Sequence, residues 1–295
     1  MKIGLIGTGR MGGAIVQRLL ACGHEVTIWN RSMAKTEPLV ELGAKTAPSP
    51  SAVVAACEIT ISILTDGAAI DSAYRGAGGV LEADLSGKLL IEMSTVRPST
   101  SIALAKDILA KGGGVIDCPV GGTVGPARDG KLLGLVGGSD QDVAKARPIL
   151  DQLCRRVEHV GPNGSGATLK LSVNLPLLVF WQSFSEALSI SSKLDISPER
   201  LIDILSDTSG APNMLKARAP AIVASLKGQV SPNAAFTLDN IRKDLRTMIE
   251  EAKSMGWDIP VTSATLKEFD KTSAAGMGEA DGLEVPAWFI KTHSK

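Results

Sequence analysis

Three glycines stand close together near the start of the chain, in the segment Gly7-Thr8-Gly9-Arg10-Met11-Gly12. A short apolar run precedes the segment and a helical pattern follows it. In that context the first glycine permits a tight turn, the second lets the backbone approach a pyrophosphate, and the third lets helix and strand pack closely. The N–H groups and positive dipole end of the helix then face the phosphates. The segment predicts a dinucleotide-binding loop rather than an ordinary glycine-rich turn.

The residues after the second apolar run indicate which dinucleotide to expect. An enzyme that uses NAD usually has Asp or Glu there, whose carboxylate accepts from the ribose 2′-hydroxyl. This chain has Asn30, Arg31 and Ser32, with Lys35 close behind. A guanidinium binds a 2′-phosphate through paired hydrogen bonds, whereas a carboxylate would repel it. We therefore predict NADP, the alternative being that Arg31 is a solvated loop residue.

The usual proton donors of dehydrogenases do not occur at their usual spacings. The only tyrosine, Tyr74, is followed four residues later by Gly78, where a short-chain dehydrogenase has Lys. Cysteines and histidines are scattered along the chain, so we expect no metal site. His24 precedes a predicted strand and His159 ends another, and a structural histidine is more common there than a base. The donor must then be a different side chain.

Gly166, Lys170 and Asn174 are spaced four residues apart in one helical pattern, so they share a face of that helix. Gly166 would let another backbone or the substrate approach, Lys170 would present a proton, and Asn174 would orient the substrate or the amine. A lysine and an asparagine at this spacing are also common on solvated helices. Apolar neighbours and a place just past a predicted domain boundary favour a functional role.

Two kinds of element must position these residues. The runs predicted as strands are Lys2–Ile6, Glu25–Trp29, Ile59–Leu64, Leu89–Glu92, Val115–Cys118, Leu133–Val136 and Val157–Val160. They alternate with helical patterns such as Gly12–Ala21, Met33–Leu42 and Ser99–Ala110, which predicts a doubly wound, mostly parallel sheet. From about Ser165 to Lys193 the pattern is one long helix, which Pro176 should kink. We expect an α/β Rossmann domain over residues 1–162, followed by an all-α domain over residues 163–295.

Composition excludes several partner classes. The chain has 295 residues, with 31 Lys and Arg against 31 Asp and Glu, so no overall field draws it to nucleic acid or an anionic membrane. The start has the pattern of a strand rather than of a signal peptide. The apolar stretch Leu175–Trp181 is far too short to span a bilayer. We expect a soluble cytoplasmic protein.

Four segments, in order, resemble the β-hydroxyacid dehydrogenase family, which includes 3-hydroxyisobutyrate dehydrogenase, tartronate semialdehyde reductase and succinic semialdehyde reductases. They are Ile6–Gly12, Asp117–Thr123, Gly166–Asn174, and Phe236–Leu238 with Lys243–Leu245. The resemblance implies an NADP-dependent oxidoreductase that interconverts a small carbonyl compound bearing an acidic group and its hydroxy acid. By analogy with the family, the helical domain would bind substrate and form a homodimer or homotetramer.

The resemblance also implies roles for the matching positions. Lys170 would be the general acid in reduction and the base in oxidation, with Asn174 as its partner. The loop Gly121-Gly122-Thr123 would hold the acidic group of a small anionic substrate, and Thr95 would lie near both substrate and nicotinamide. The cofactor-binding positions would be Gly7, Thr8, Gly9, Arg10, Met11, Gly12, Asn30, Arg31, Ser32, Leu64, Thr65, Thr95 and Lys243.

One position departs from the family pattern. Gly121 stands where the family usually carries Ser, whose hydroxyl helps to hold the substrate carboxylate. A glycine leaves room for a bulkier acid such as a ketophosphonate, beside the usual semialdehyde or keto acid. Alternatively its backbone N–H does the same work as the hydroxyl.

Two other functions stay open. An imine reductase is a relative in fold, but that group holds Asp or Tyr at the position of Lys170. A non-catalytic NADP-binding sensor or assembly protein would be expected to have lost the lysine, which this chain retains.

Overall fold

The computed structural model describes residues 1–230 and 234–293. The chain forms two compact units, Met1–Leu171 and Ser172–Lys295. The predicted domain boundary, between residues 162 and 163, lies at the turn before a long helix, whereas the two units divide later, within that helix. Among the described residues, no helix combines the length and the apolar character needed to cross a bilayer.

The first unit is built on one sheet. Its strands within the described residues are β1 (Lys2–Ile6), β2 (Glu25–Trp29), β3 (Lys45–Thr46), β4 (Ile59–Ser62), β5 (Leu89–Glu92), β6 (Gly114–Asp117), β7 (Val120–Gly121), β8 (Leu132–Gly138) and β9 (Cys154–Gly161). Their order is β3-β2-β1-β4-β5-β6-β8-β7, with β9 beside β8. The strands β1 to β6 pair in parallel, β8 is antiparallel to β6 and β7, and β9 is parallel to β8. The predicted mostly parallel sheet is confirmed.

Helices cover both faces of this sheet. They are α1 (Arg10–Ala21), α2 (Glu37–Val40), α3 (Pro50–Ala56), α4 (Gly67–Arg75), α5 (Pro98–Ala110), α6 (Val124–Arg128) and α7 (Asp140–Leu153). Alternate residues of one strand enter different cores. Leu89 and Ile91 pack with residues of α1 and α7, whereas Leu90 packs with residues of α3, α4 and α5. Because both faces are buried, the central strands are continuous apolar runs, as parallel sheets require.

The second unit is helical. The helix α8 (Ser165–Ser191) begins in the first unit and continues through Pro176 into the second. It is followed by α9 (Pro198–Ser206), α10 (Asn213–Leu226), α11 (Leu238–Ser254), α12 (Pro260–Thr272) and α13 (Val285–His293). The expectation of a helical second half is confirmed.

Short elements account for most differences from the prediction. The strands β3 and β7 have two residues each, too few to show a hydropathy period. The predicted helix Met33–Leu42 is interrupted at Thr36, because the 3₁₀ turn Met33–Lys35 ends before it and the separate helix α2 begins after it, at Glu37, with Pro38 in its first turn.

Candidate active site

The glycine-rich loop has the geometry of a tight turn between β1 and α1. Gly7 has φ +100°, and a Cβ at that residue would lie 2.3 Å from the carbonyl oxygen of Ile63. A Cβ at Gly12 would lie 1.8 Å from the carbonyl oxygen of Gly7, so only glycine lets the helix start so close to the strand. A Cβ at Gly9 would meet open space, and Gly9 is exposed. Since Gly9 is the N-cap of α1 and has no side chain, the first-turn N–H groups fit a pyrophosphate.

The loop after β2 is tied to this turn by Asn30. The Asn30 Oδ1 atom accepts from the backbone N–H of Thr8 at 3.1 Å, and its Nδ2 atom donates to the carbonyl oxygen of Ser32 at 2.9 Å. Arg31, Ser32 and Lys35 are exposed. The segment that carries Arg31, Ser32 and Lys35 therefore lies beside the glycine-rich loop.

The ends of β4 and β5 share a buried hydrogen-bond network that the sequence did not predict. The Tyr74 hydroxyl donates to Ser62 Oγ at 2.6 Å, and Ser62 Oγ donates to the Glu92 carboxylate. That carboxylate also accepts from the backbone N–H of Ser94 at 2.7 Å, and Ser94 Oγ accepts from the N–H of Leu64 at 2.7 Å. The network therefore joins the two loops that carry Leu64, Thr65 and Thr95.

Burial dominates the electrostatics of this network. Only 2% of Glu92 is exposed, and burial raises the pKa of its carboxyl while the Ser62 and Ser94 donors act against that shift. Asp117 lies opposite Glu92 in the register of β5 and β6, and its charge raises the pKa of Glu92 further. Burial also raises the pKa of Tyr74 well above its usual value.

The candidate substrate loop begins at Gly121, the last residue of β7. Gly121 is half-buried, and a Cβ there would make ordinary contacts, the nearest at 3.4 Å from Leu133 Cβ. Gly122 is exposed with φ +125°, and a Cβ there would lie 2.8 Å from Leu132 Cδ2. The loop therefore has space for a Cβ at position 121, whereas the positive φ at position 122 favours glycine. Thr123 is half-buried at the start of α6.

The start of α8 is held by Asp117, the first residue of the segment Asp117–Thr123, for which the sequence predicted no role of its own. Its Oδ1 atom accepts from the backbone N–H of Gly164 at 2.6 Å, and its Oδ2 atom accepts from the N–H of Ala167 at 2.9 Å. Burial raises the pKa of Asp117, and these N–H donors oppose that shift. Lys170 follows on the same helix and is 7% exposed. An acidic residue at the end of an apolar strand was the available signal for both Asp117 and Glu92.

Within the second unit, the predicted residues Asn174 and Lys243 meet at Asp244. The Asn174 Nδ2 atom donates to Asp244 Oδ2 at 3.4 Å, and Lys243 Nζ lies 2.5 Å from Asp244 Oδ1. Asp244 is 2% exposed. The contact joins α8 to α11, two of the motif-bearing helices, through a carboxylate next to Lys243 in sequence.

The two histidines near strand ends have structural partners. His24 Nε2 lies 2.6 Å from Gln152 Oε1, and His159 Nε2 lies 2.9 Å from the carbonyl oxygen of Gly138. These contacts fit the expectation that neither residue is the base.

The fold and the glycine-rich loop define a dinucleotide-binding Rossmann protein with a helical second part. The protein-family model for the NAD binding domain of 6-phosphogluconate dehydrogenase matches residues 2–161 of this chain. The model described as NAD-binding of NADP-dependent 3-hydroxyisobutyrate dehydrogenase matches residues 164–288.

Curated relatives agree with these matches. Glyoxylate/succinic semialdehyde reductase 1 of Arabidopsis thaliana is 36% identical over 281 residues, which cover 95% of this chain and 96% of that protein. 3-Hydroxyisobutyrate dehydrogenase of Pseudomonas aeruginosa is 31% identical, over 96% of this chain and 95% of that protein. The cytokine-like nuclear factor N-PAC of Gallus gallus is 31% identical over 95% of this chain but only 50% of that protein.

Solved structures are similar along the whole chain. A structure described as Psf3 in complex with NADP+ and 2-OPP has a TM-score of 0.85 and 27% identity, over 99% of this chain and 100% of that one. A 3-hydroxyisobutyrate dehydrogenase from Salmonella typhimurium has a TM-score of 0.85 at 22% identity, over 97% of this chain and 99% of that one, which shows the shared fold. The chain belongs to the β-hydroxyacid dehydrogenase family, and it is an NAD(P)-binding oxidoreductase of the kind that acts on hydroxy acids.

Proposed function

We propose that this protein is an NADP-dependent reductase that interconverts a small carbonyl compound bearing an acidic group and its hydroxy acid, with Lys170 as the general acid. The observation that carries the proposal is the buried Lys170 on α8, a helix whose start is fixed to the sheet by Asp117. Relatives named for semialdehyde reduction and for 3-hydroxyisobutyrate dehydrogenation support the same kind of reaction.

The residues of the chain supply positioning and proton transfer. NADPH supplies a hydride to the carbonyl carbon when it is bound. The Lys170 ammonium donates a proton to the carbonyl oxygen during reduction, and the amine takes it back during oxidation. The Asn174 amide is oriented by Asp244, and we assign it the role of holding the substrate or the amine of Lys170 in place.

Preference for NADP is part of the proposal. Asn30, which is engaged with Thr8, replaces the carboxylate that would read a ribose 2′-hydroxyl. The exposed side chains of Arg31, Ser32 and Lys35 provide the donors for a 2′-phosphate. The NADP+ in the similar structure supports this assignment.

The substrate's acidic group is assigned to the loop Gly121–Thr123. We assign the backbone N–H groups of this loop the role of donors to the acidic group. Position 121 is a glycine and so lacks a side chain that would narrow the loop. A carboxylate of a semialdehyde or keto acid and the wider phosphonate of a ketophosphonate are both candidates. We further propose that the domain over residues 163–295 carries substrate and oligomer contacts of a homodimer or homotetramer, and that the protein is cytoplasmic.

Two variants test the proposal, with NADPH oxidation measured on small aldehydes and ketones that bear a carboxylate, phosphate or phosphonate. Lys170→Met should lower kcat about 100- to 10,000-fold and leave the Kd of NADPH near that of the parent protein. Arg31→Ala should raise the KM of NADPH about tenfold and leave that of NADH nearly unchanged, because only the former loses a charge-assisted bond.

Matched controls are Lys193→Met and Arg155→Ala, two exposed cations outside the proposed site. A Lys170→Met variant that keeps more than about a tenth of kcat would contradict the assignment of the proton donor. Equal effects of Arg31→Ala on both dinucleotides would contradict the NADP assignment. Cyclic imines are assayed in the same way: turnover of these compounds alone would favour the imine reductase, and turnover of no compound at all would favour the sensor.

A further inference from the structure

Asp117 accepts hydrogen bonds from backbone N–H groups at the start of α8, a role that residues at the start of a helix usually fill themselves. The residue before α8, Gly164, and the third residue of the helix, Ala167, are positions whose N–H groups lack partners within the helix. Both donate to Asp117, which is distant in sequence and ends β6. The carboxylate also places a negative charge at the positive end of the helix dipole. The side chain of Asp117 therefore binds the start of α8 to the end of β6.

Two glycines leave the space that this carboxylate occupies. A Cβ at Gly166 would lie 2.2 Å from the carbonyl oxygen of Leu135 and 2.9 Å from Asp117 Oδ2. A Cβ at Gly137 would lie 2.6 Å from Asp117 Oδ1 and 2.6 Å from the carbonyl oxygen of Pro162. Any added atom would push either the helix or the carboxylate away. The backbone that Gly166 allows to approach is thus that of β8.

The side chain of Asn163 adds a second tie to the same place. Its Nδ2 atom donates to the carbonyl oxygen of Val115 on β6 at 3.0 Å. The first turn of α8 is consequently fixed against the sheet by contacts from two side chains and by close packing from β8.

We propose that Asp117 is a positioning residue for the reaction. Its carboxylate sets the start of α8, and so the place from which Lys170, three residues after Ala167, presents its ammonium. Asp117 also begins the segment that leads into the loop Gly121–Thr123. One residue at the end of β6 therefore positions the proton donor and precedes the candidate substrate loop. The inference rests on the proposed role of Lys170.

The substitution that tests this is Asp117→Asn, which keeps the shape of the side chain. An amide has one acceptor oxygen, so its NH2 group must face either the Gly164 or the Ala167 N–H, and one of those bonds is lost. A displaced Lys170 transfers its proton more slowly. We expect kcat to fall about 10- to 100-fold, the KM of NADPH to stay unchanged, and the solvent deuterium isotope effect on kcat to rise. Loss of folded protein alone would lower the active fraction and leave the isotope effect as it was.

Gly166→Ala gives the second measurement, because it displaces the helix while the carboxylate stays intact. It should raise the isotope effect as Asp117→Asn does. The control is Ser139→Ala, which removes a side-chain acceptor for the Asp142 N–H at the start of α7, 3.1 Å away, and should leave the isotope effect unchanged.

The outcomes separate the two proposals. If Lys170→Met abolishes activity and folded Asp117→Asn and Gly166→Ala keep the parent kcat and isotope effect, the inference about Asp117 is wrong and the proton donor stands. If Asp117→Asn does not fold, folded Gly166→Ala is the test. A kcat and an isotope effect equal to those of the parent protein would then show that the inference is wrong. If Lys170→Met remains active, the proposed function itself fails, whatever Asp117 does.

Discussion

Glu92 and Asp117 are two carboxylates on neighbouring strands, and their surroundings differ in kind. They lie opposite each other in the register of β5 and β6, and each is 2% exposed. Glu92 is bound by a chain of hydroxyls and one backbone N–H, whereas Asp117 is bound by backbone N–H groups at the start of a helix. Hydroxyls exchange donor and acceptor roles, but a backbone N–H only donates.

This difference has a consequence for what each carboxylate can tolerate. The Glu92 network can adjust to a new donor, because its hydroxyl groups can rotate their hydrogens. It can therefore join the two loops whether or not the Glu92 carboxyl carries a proton. The Asp117 contacts require two acceptor oxygens at fixed places. Two buried acids in the same row of the sheet thus provide an adaptable and a rigid anchor.

The largest expected effect compares the two amide variants. Asp117→Asn should lower the free energy of unfolding by about 1–3 kcal/mol more than Glu92→Gln does, because it leaves a buried N–H without an acceptor. In Glu92→Gln the new amide N–H can donate to Ser62 Oγ. Urea unfolding at equal m-values measures both losses. Equal losses would show that the two carboxylates are equivalent anchors.

A smaller effect is expected from Tyr74→Phe, which removes only the outermost hydroxyl of the Glu92 network. The loss should be about 0.5–1.5 kcal/mol, because the Ser62 to Glu92 bond remains. In the double variant of Tyr74→Phe and Glu92→Gln the losses of stability should be non-additive, since both changes act on one network. In the double variant of Tyr74→Phe and Asp117→Asn the two losses should add. Additive losses in both combinations would mean that Tyr74 does not act through Glu92.

The smallest effect concerns pH, because a proton changes the charge while the bonded atoms stay in place. The folded-state pKa of Glu92 is raised above its usual 4.5, so the folded state binds the proton first as pH falls. Its contribution to stability is therefore fully present below the usual pKa and is lost as pH rises through the raised value.

Parent protein should accordingly gain stability relative to Glu92→Gln as the pH is lowered from 7 towards 4.5. The comparison with Asp117→Asn should have the same sign, because burial also raises the pKa of Asp117. Urea unfolding across this range gives both curves. A difference from Glu92→Gln that is constant with pH would contradict the raised pKa.

Local pattern was sufficient for much of the fold. The strands β1, β2 and β5 begin and end at the predicted residues, and α8 begins at the predicted residue and ends two residues before the predicted end. Burial on both faces of a parallel sheet makes each central strand a continuous apolar run, so the pattern is strong. The two-residue strands carried no such pattern.

The candidate site was predictable only in part. The glycine-rich loop and Lys170 belong to motifs of fixed spacing, and spacing is visible in a sequence. The hydrogen-bond partners of Glu92, Asp117 and Asp244 are not visible in the sequence, because each contact joins residues from different elements. A charged residue in an apolar strand signals a buried partner but does not name it.

The sequence by itself determined the αβ alternation, the loop that faces a pyrophosphate, and the helical spacing of Gly166, Lys170 and Asn174. These depend on backbone geometry within a few residues, which side-chain size and polarity control directly. Tertiary structure alone decided that Gly166 is needed for contact with β8 and that Asp117 completes the start of α8. The reason is physical: parallel strands bring their carboxyl ends to one edge, and which side chains satisfy the polar groups buried there depends on how distant segments pack.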